Sequence, residues 1–153
     1  MRALMQIGYR VRRFLLRALR IRTRGVKAMV FNAAGELLLV RNSYGASHLF
    51  VLPGGGIGRR EDPAAAAARE VREETGLEVR ALEFIGEYSS AAEGKRDTIH
   101  LFRAMAEGEP VADALEVAEA RFFLLSALPP TTSAATLRRV AELKPDAVRG
   151  RVW

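Results

Sequence analysis

Short apolar runs rich in β-branched residues, separated by turn residues, dominate the chain from residue 26 onward. The first two runs, at residues 26–31 and 36–40, flank the turn-like sequence Asn32-Ala33-Ala34-Gly35 and predict a hairpin. The same pattern predicts further strands at residues 48–52, 78–88, 97–106 and 119–125. Helical spacing is found at residues 63–75 and 132–143. Strands interleaved with two helices predict a layered domain of the α/β or α+β class.

The first 24 residues follow a different pattern. Apolar residues recur there at spacings of three or four with arginines largely between them, at Leu4, Ile7, Val11, Leu15, Ala18 and Leu19. We therefore predict a basic amphipathic helix at residues 1–24 and a separate globular domain over residues 25–153. Arginines interrupt every candidate apolar core and no small-residue cleavage site follows, which argues against a secretory signal.

The positive charge of the chain is concentrated in this segment. Residues 1–27 hold eight arginines, one lysine and no acid, a charge of +9, whereas the other 126 residues hold 15 basic and 18 acidic groups, a charge of −3. Two interpretations of the helix stay open. It packs on the core or on a second subunit of a homodimer, or it attaches reversibly to an anionic membrane. A nucleic-acid arm would have little use for the apolar stripe, so nucleic acid is not an expected partner.

Composition narrows the class of protein further. A chain of 153 residues is about one domain, and 49% hydrophobic with 27% charged residues is typical of a folded globular protein rather than a disordered one. No apolar run reaches the roughly 18 residues of a membrane span. The chain has no cysteine, which excludes a disulfide framework, a thiolate metal site and a cysteine nucleophile. This absence is consistent with a cytoplasmic protein.

The most informative region is residues 52–77, in which a glycine-rich turn leads from a predicted strand into a helix. The ends of that helix are marked by local signals. Asp62 suits the N-cap, Pro63 the first helical position and Gly76 the left-handed position after the last turn. Five consecutive alanines favour the helix itself.

Three glutamates on this helix, Glu70, Glu73 and Glu74, share one face because they stand at positions i, i+3 and i+4. Like charges at this spacing repel one another, so a cation should compensate them. Arg69 offsets part of the repulsion, and clustered carboxylate oxygens are the ligands of a hard divalent ion, Mg²⁺ or Mn²⁺. We expect the glutamates to lie on the accessible side, opposite a buried stripe of Ala64, Ala68 and Val71.

The same region resembles a known family. Its 23 residues from Gly55 to Leu77 match the Nudix box at every defined position, which are Gly55, Glu61, Arg69-Glu70-Val71, Glu73-Glu74 and Gly76-Leu77. The order of predicted strands over about residues 25–143 is also similar to that family's domain. The resemblance implies an α/β/α sandwich with a mixed sheet. It also implies a divalent-metal-dependent hydrolase of a nucleoside diphosphate linked to another group, X.

The resemblance assigns roles to individual residues. Glu70, Glu73 and Glu74 are the implied metal ligands, with Glu73 as ligand or base, and such an ion would neutralise the diphosphate. The backbone of Gly54, Gly55 and Gly56 would approach the anion closely. Arg69 is implied to orient the glutamates, with Glu61 as a supporting acid. A further acid from a later loop is expected, and we prefer Glu116 to Glu119.

Other features leave the substrate open. Phe50 stands where the family commonly has tryptophan, and residues 78–96 carry none of the markers that sort the family into substrate subgroups. A non-catalytic nucleotide-binding module is the alternative to an enzyme. His48 and His100 are weaker candidates for a substrate role, because the alternation around His100 favours an ordinary position on the less buried face of a strand.

Overall fold

The computed structural model describes residues 24–90 and 97–153, in which seven strands form one mixed sheet that lies between two helices. The first four strands are β1 (Arg24–Phe31), β2 (Leu37–Asn42), β3 (Phe50–Val51) and β4 (Gly54–Gly56). After them come α1 (Pro63–Thr75), β5 (Val79–Ser90), β6 (Asp97–Ala106), β7 (Val117–Phe123) and α2 (Ala134–Ala141).

The main path of the sheet has the strand order β3-β2-β1-β6-β5, with β7 paired to β2 and β4 paired to β1. Strands β1 and β6 are parallel, from Arg24 opposite Thr98 to Phe31 opposite Met105, and the other pairs are antiparallel. The first residues of β1 therefore lie between β6 and the glycine strand β4.

Helix α1 covers one face of the sheet. Its N-terminal half packs Ala66 and Ala67 against Val26, Ile57 and Phe102. Further along, Val71 packs in a second cluster, whose other buried members are Ala28, Val30, Leu38, Leu77, Ala104 and Ala106. Because strand residues alternate between faces, the even-numbered residues of β1 contact α1 and the odd-numbered ones point to the other side.

The opposite face carries the larger core and is covered by α2 and the C-terminal residues. Its buried members are Met29, Phe31, Leu37, Leu39, Phe50, Leu52, Tyr88 and Leu101. Val140 of α2 and Trp153 pack against this cluster. The predicted α/β/α arrangement with a mixed sheet is therefore confirmed.

The ends of α1 follow the predicted signals. Asp62 has extended backbone angles, and its side chain accepts a hydrogen bond from the backbone N–H of Ala65 at 3.0 Å. Gly76 has a φ of 72°, and its N–H donates to the carbonyl of Arg72 at 2.9 Å. Both caps satisfy backbone groups that the helix leaves unpaired at its ends.

One predicted turn is wrong. The glycine-rich segment expected to be a turn forms strand β4, which pairs with residues 25–27 of β1. Glycine has low strand propensity, so only the neighbouring strand makes this segment a strand. The predicted helix at residues 1–24 lies outside the described residues, apart from Arg24, and the domain boundary beside it stays a prediction. Neither α1 nor α2 is long and apolar enough to span a membrane.

Candidate active site

Strand β4 and helix α1 meet at one contact between a backbone amide and a carboxylate. The N–H of Gly54 donates to Oε2 of Glu74 at 3.0 Å. Gly54 has a φ of 146°, and a Cβ at this position would stand 2.1 Å from the carbonyl oxygen of Val26. No side chain fits in that space, so a glycine is required for β4 to lie this close to β1.

The two buried glutamates of α1 correct one expectation from the sequence. Glu70 is 0% and Glu74 4% exposed, and both share the buried face of the helix with Val71. Glu73 is partly exposed, at 24% of its side chain. Of the predicted buried stripe only Val71 is fully buried, with Ala66 and Ala67 buried in place of Ala64 and Ala68. The carboxylates of Glu70 and Glu74 do not lie opposite this face, because the glycines of β4 have no side chains and leave room beside the sheet.

Arg69 contacts two of these acids, Glu70 and Glu73, and also Glu61. Its Nε and Nη2 atoms donate to the carboxylate of Glu61 at 2.6 and 2.9 Å. Its Nη1 atom lies 2.8 Å from Glu70 and 3.4 Å from Glu73, and Nη2 also donates to the carbonyl of Gly56 at 3.1 Å. One guanidinium therefore connects the helix, the preceding loop and β4.

These carboxylates change the pKa of Arg69 itself. Hydrogen bonds that Arg69 donates to Glu61, followed by the charge of Glu70, raise the pKa of Arg69 above its ordinary value although burial opposes the shift. The guanidinium therefore stays charged wherever the protein is folded. Glu61 is fixed at its other side as well, because it accepts a hydrogen bond from the N–H of Gly58 at 2.7 Å.

The donor set fits a hard divalent cation. Burying a carboxylate is costly unless donors or a cation compensate it, and Glu70 and Glu74 are buried side by side on one helix face. Carboxylate oxygens are the ligands that Mg²⁺ and Mn²⁺ take in proteins. Within residues 24–90 and 97–153, no three acidic or histidine side chains already stand in a metal-binding cluster. In the described conformation Arg69 contacts Glu70 and Glu73 directly.

Lys27 is a residue at this site that the sequence analysis missed. It stands opposite Gly54 in the pairing of β1 with β4, and its Nζ donates to the carbonyl of Leu52 at 2.8 Å. The N–H of the next residue, Ala28, donates to the carbonyl of Pro53 at 3.0 Å. The chain is thus held to β1 at the two residues just before β4. A lone lysine inside an apolar strand was the signal that could have identified it.

Glu116 lies just before β7 and is 5% exposed. Its backbone N–H donates to Asp113 Oδ1 at 2.9 Å, and its carbonyl accepts from the N–H of Ser43 at 2.9 Å. The loop that carries it contacts the end of α1, because the N–H of Val111 donates to the carbonyl of Thr75 at 2.8 Å. A buried acid therefore stands on a loop attached to the glutamate helix.

Glu119 occupies a different environment. It lies in β7, about one third exposed, and forms an ion pair with Arg41 of β2 at 3.3 Å. Arg121 lies 3.6 Å from its other carboxylate oxygen. Glu119 is thus engaged in ion pairs along the sheet.

The histidines do not join this site through any contact in the described part of the chain. His48 is exposed. His100 is only 7% exposed, so the expectation that it lies on a less buried face is wrong. It stands in β6, an interior strand of a sheet that is covered on both faces, and its Nδ1 is 3.4 Å from Glu87 of β5.

The fold of this chain is similar to that of known proteins. The chain is similar to the crystal structure of a MutT NUDIX hydrolase from Burkholderia pseudomallei, with 23% identity over 80% of this chain and 98% of that one, at a TM-score of 0.71. It is also similar in fold to a UDP-X diphosphatase, with 19% identity over 80% of this chain and 62% of that one, at a TM-score of 0.66.

A curated relative matches part of the chain. It is an RNA pyrophosphohydrolase of Acidiphilium cryptum, 43% identical over 65 residues, which are 40% of this chain and 38% of that relative's length. The model of the NUDIX domain family matches residues 21–143. That match spans the box, the sheet and α2, and the chain therefore belongs to the Nudix family.

Proposed function

We propose that this protein is a divalent-metal-dependent hydrolase that cleaves the phosphoanhydride of a nucleoside diphosphate linked to X. The observation that carries the proposal is the contact of buried Glu74 with the N–H of Gly54, because it brings an acidic helix face against a glycine strand. Acids at this place can hold a cation, and glycine backbone beside them can admit a phosphate.

The residues proposed to hold Mg²⁺, or Mn²⁺ in its place, are Glu70, Glu73 and Glu74. When bound, such an ion neutralises the charge of the diphosphate, polarises the P–O bond and lowers the pKa of a coordinated water. The burial of Glu70 and Glu74 supports their assignment as ligands, since two adjacent buried carboxylates require positive charge.

The remaining roles belong to the chain's own side chains and backbone. Glu73 is the most exposed of the three glutamates, which suits a group that also takes a proton from water. Arg69, held by Glu61, positions Glu70 and Glu73 through its guanidinium. The glycines of β4, from Gly54 to Gly56, offer backbone that a phosphate oxygen can approach without meeting a side chain.

Glu116 is proposed as the additional acid of the reaction. It is buried on a loop that is hydrogen-bonded to the end of α1, whereas Glu119 is engaged with Arg41. An acid with this placement can act as a further base or ligand beside the helix. The preference for Glu116 over Glu119 is thus supported by burial and by the contacts of its loop.

The substrate is proposed to be a nucleotide, and two relatives suggest which ones to try first. The 43% identical segment of the RNA pyrophosphohydrolase supports a test of RNA carrying a 5′-triphosphate. The UDP-X diphosphatase shares the fold alone, so a UDP-sugar is included only for comparison. A nucleoside triphosphate and an oxidised nucleoside triphosphate complete the panel. A non-catalytic nucleotide-binding module would bind members of this panel without releasing product.

The test is metal-dependent product release from this panel by the full-length protein. With Mg²⁺ we expect release of phosphate or pyrophosphate from a triphosphate substrate, or of UMP and sugar phosphate from the UDP-sugar, and this release should stop when the ion is chelated. In ¹⁸O-labelled water the label should enter a phosphate of one product, because no covalent nucleophile is proposed and water attacks phosphorus. Binding without turnover of any substrate, or label found only on a sugar hydroxyl, would refute the proposal.

A further inference from the structure

A cavity lies on the face of the sheet opposite α1, beneath the end of α2. Its volume is about 240 Å³, and Met29, Ile85 and Leu101 form an apolar floor. Leu143 and Pro145, which follow α2, line it from above. The glutamates of α1 and strand β4 do not line it, so it is separate from the proposed catalytic site.

The cavity is lined by an excess of positive charge. Four basic and two acidic residues line it, a net charge of +2: Arg103, Arg139, Lys144 and Arg149 against Glu83 and Glu142. Glu142 pairs with Arg139 at 2.8 Å. Among the residues with described positions, Arg103, Lys144 and Arg149 are in no ion pair. Three of the four basic residues are therefore not neutralised by an ion pair with any residue that the structure describes.

Arg139 fixes one of these charges deep in the wall. It is 2% exposed, its guanidinium stacks 4.0 Å from the ring centre of Tyr88, and it donates to Glu142 and to the carbonyl of Val152. Its Nε is buried and has no hydrogen-bond partner in the part of the chain that the structure describes. The guanidinium is therefore held in place beside the cavity, and its Nε–H is an unsatisfied donor among the described residues.

The remaining three cations belong to exposed residues. Lys144 is exposed, and Arg103 lies with its guanidinium carbon 5.0 Å above the ring of Phe31. Arg149 donates one hydrogen bond to the carbonyl of Ile85 at 3.0 Å and keeps further donors. Arginine and lysine side chains that line one cavity supply the donors by which proteins recognise a phosphate group.

We infer that this cavity binds a phosphate group, either inorganic phosphate or a small organic phosphate. The net charge of +2 matches a divalent anion, and the apolar floor can accommodate a short organic part. The volume is smaller than the roughly 300–1,000 Å³ of ordinary ligand sites, which limits the ligand to a small molecule. The inference concerns a site apart from the box and does not depend on the proposed catalytic function.

Methionine methyl resonances offer a direct test on the full-length protein. The chain has four methionines, of which Met29 lies in the floor of the cavity. With ¹³C-methyl labelling, and with Met29→Leu to assign its signal, phosphate is titrated at constant ionic strength in the presence of a chelator. We expect a saturable shift of the Met29 signal at phosphate concentrations below about 20 mM.

The variants Arg103→Gln and Lys144→Gln should each weaken phosphate binding at least about fivefold, since each removes a charged donor. Arg121→Gln is the matched control, because its guanidinium carbon lies 5.3 Å above the ring of Phe123 and it does not line the cavity. It should leave the affinity unchanged. A melting curve for each variant separates lost binding from lost folding.

Parallel titrations with pyrophosphate and a nucleoside monophosphate identify the source of the phosphate group. If either compound binds more tightly than inorganic phosphate, the ligand is a condensed or an organic phosphate. The inference is overturned by a Met29 signal that does not shift, or that shifts without saturating. It is also overturned if Arg121→Gln weakens binding as much as Arg103→Gln does.

Discussion

Arg69 and Glu61 are joined by two hydrogen bonds, at 2.6 and 2.9 Å, that connect α1 to the loop before it. The same guanidinium contacts Glu70 and the carbonyl of Gly56. A planar group with several fixed donors is needed to reach all of these acceptors together. The positions of Glu70 and Glu73 therefore depend on a residue that is not itself proposed to bind the metal.

Replacing this arginine with lysine should separate charge from geometry. Arg69→Lys keeps the charge but loses the paired contact with Glu61, so we expect kcat to fall by about 10- to 100-fold. The free energy of unfolding should fall by about 2 kcal/mol. Arg72→Lys is the control, because Arg72 lies on the exposed side of the helix and has only a 3.8 Å contact with Glu78. It should change kcat and the free energy of unfolding little. Equal effects of the two substitutions on kcat would contradict the positioning role.

Neutralising a proposed ligand should have opposite effects on activity and on stability. Glu74→Gln is expected to lower turnover at least about 100-fold, because an amide is a poor ligand for a hard cation. The melting temperature should stay within about 4 °C of wild type or rise, since the substitution relieves repulsion among the glutamates.

Glu78→Gln is the control for this substitution, because Glu78 is 75% exposed just beyond the box. It should leave both turnover and melting temperature unchanged. Turnover by Glu74→Gln within about threefold of wild type at saturating Mg²⁺ would refute the ligand assignment. Glu70→Gln should lower turnover as Glu74→Gln does.

The close contact between β4 and β1 predicts that a methyl group added at Gly54 strongly lowers the stability of the protein. Gly54→Ala would place a Cβ 2.1 Å from the carbonyl oxygen of Val26, so we expect a loss of at least about 3 kcal/mol in the free energy of unfolding. Gly45→Ala is the comparison, since Gly45 has a φ of 68° and open space around it. Its cost should be about 1 kcal/mol, measured for both by denaturant unfolding. Similar costs at the two glycines would contradict the close approach.

Tyr88 should make stability depend on pH in the alkaline range. Burial, with a hydrogen bond to Glu142, raises the pKa of Tyr88 above its ordinary value of 10.0. Because the folded state holds the proton more tightly, the contribution of Tyr88 is complete below pH 10 and is lost as the pH rises through the folded pKa.

The comparison that isolates this effect is Tyr88→Phe. The difference in free energy of unfolding between wild type and Tyr88→Phe should be constant up to about pH 9 and then shrink as the pH rises. Denaturant unfolding at a series of pH values measures it, and the other tyrosines cancel in the difference. A difference that stays constant to pH 11 would contradict the raised pKa.

Deletion of the basic N-terminal segment tests what its apolar stripe contacts. The deletion covers residues 1–23, because Arg24 is the first residue of β1 and its carbonyl accepts a hydrogen bond from the N–H of Ile57. If these residues pack on the core or on a second subunit, as we expect, their removal should lower the melting temperature, the solubility or the dimer fraction. If they attach to a membrane, the truncated protein should stay stable and lose sedimentation with vesicles of anionic lipid. Failure of the full-length protein to bind such vesicles at physiological salt would exclude the membrane interpretation.

Local sequence signals determined the elements of this protein and the identity of the box. Asp62, Pro63 and Gly76 defined α1 to the residue, because a cap acts within one turn of the helix it ends. The β-branched runs predicted the ends of most strands to within two residues, because a strand pattern depends only on neighbouring positions. The spacing from Gly55 to Leu77 likewise needed no structure.

Only the tertiary structure decided which side of α1 is buried. The helical period places Glu70 and Glu74 on one face, yet it does not say that a strand without side chains lies beside them. The contact of Lys27 with Leu52 and the burial of Glu116 also join positions far apart in the sequence. Such contacts depend on how whole elements pack against one another, and no short-range pattern of residues records that packing.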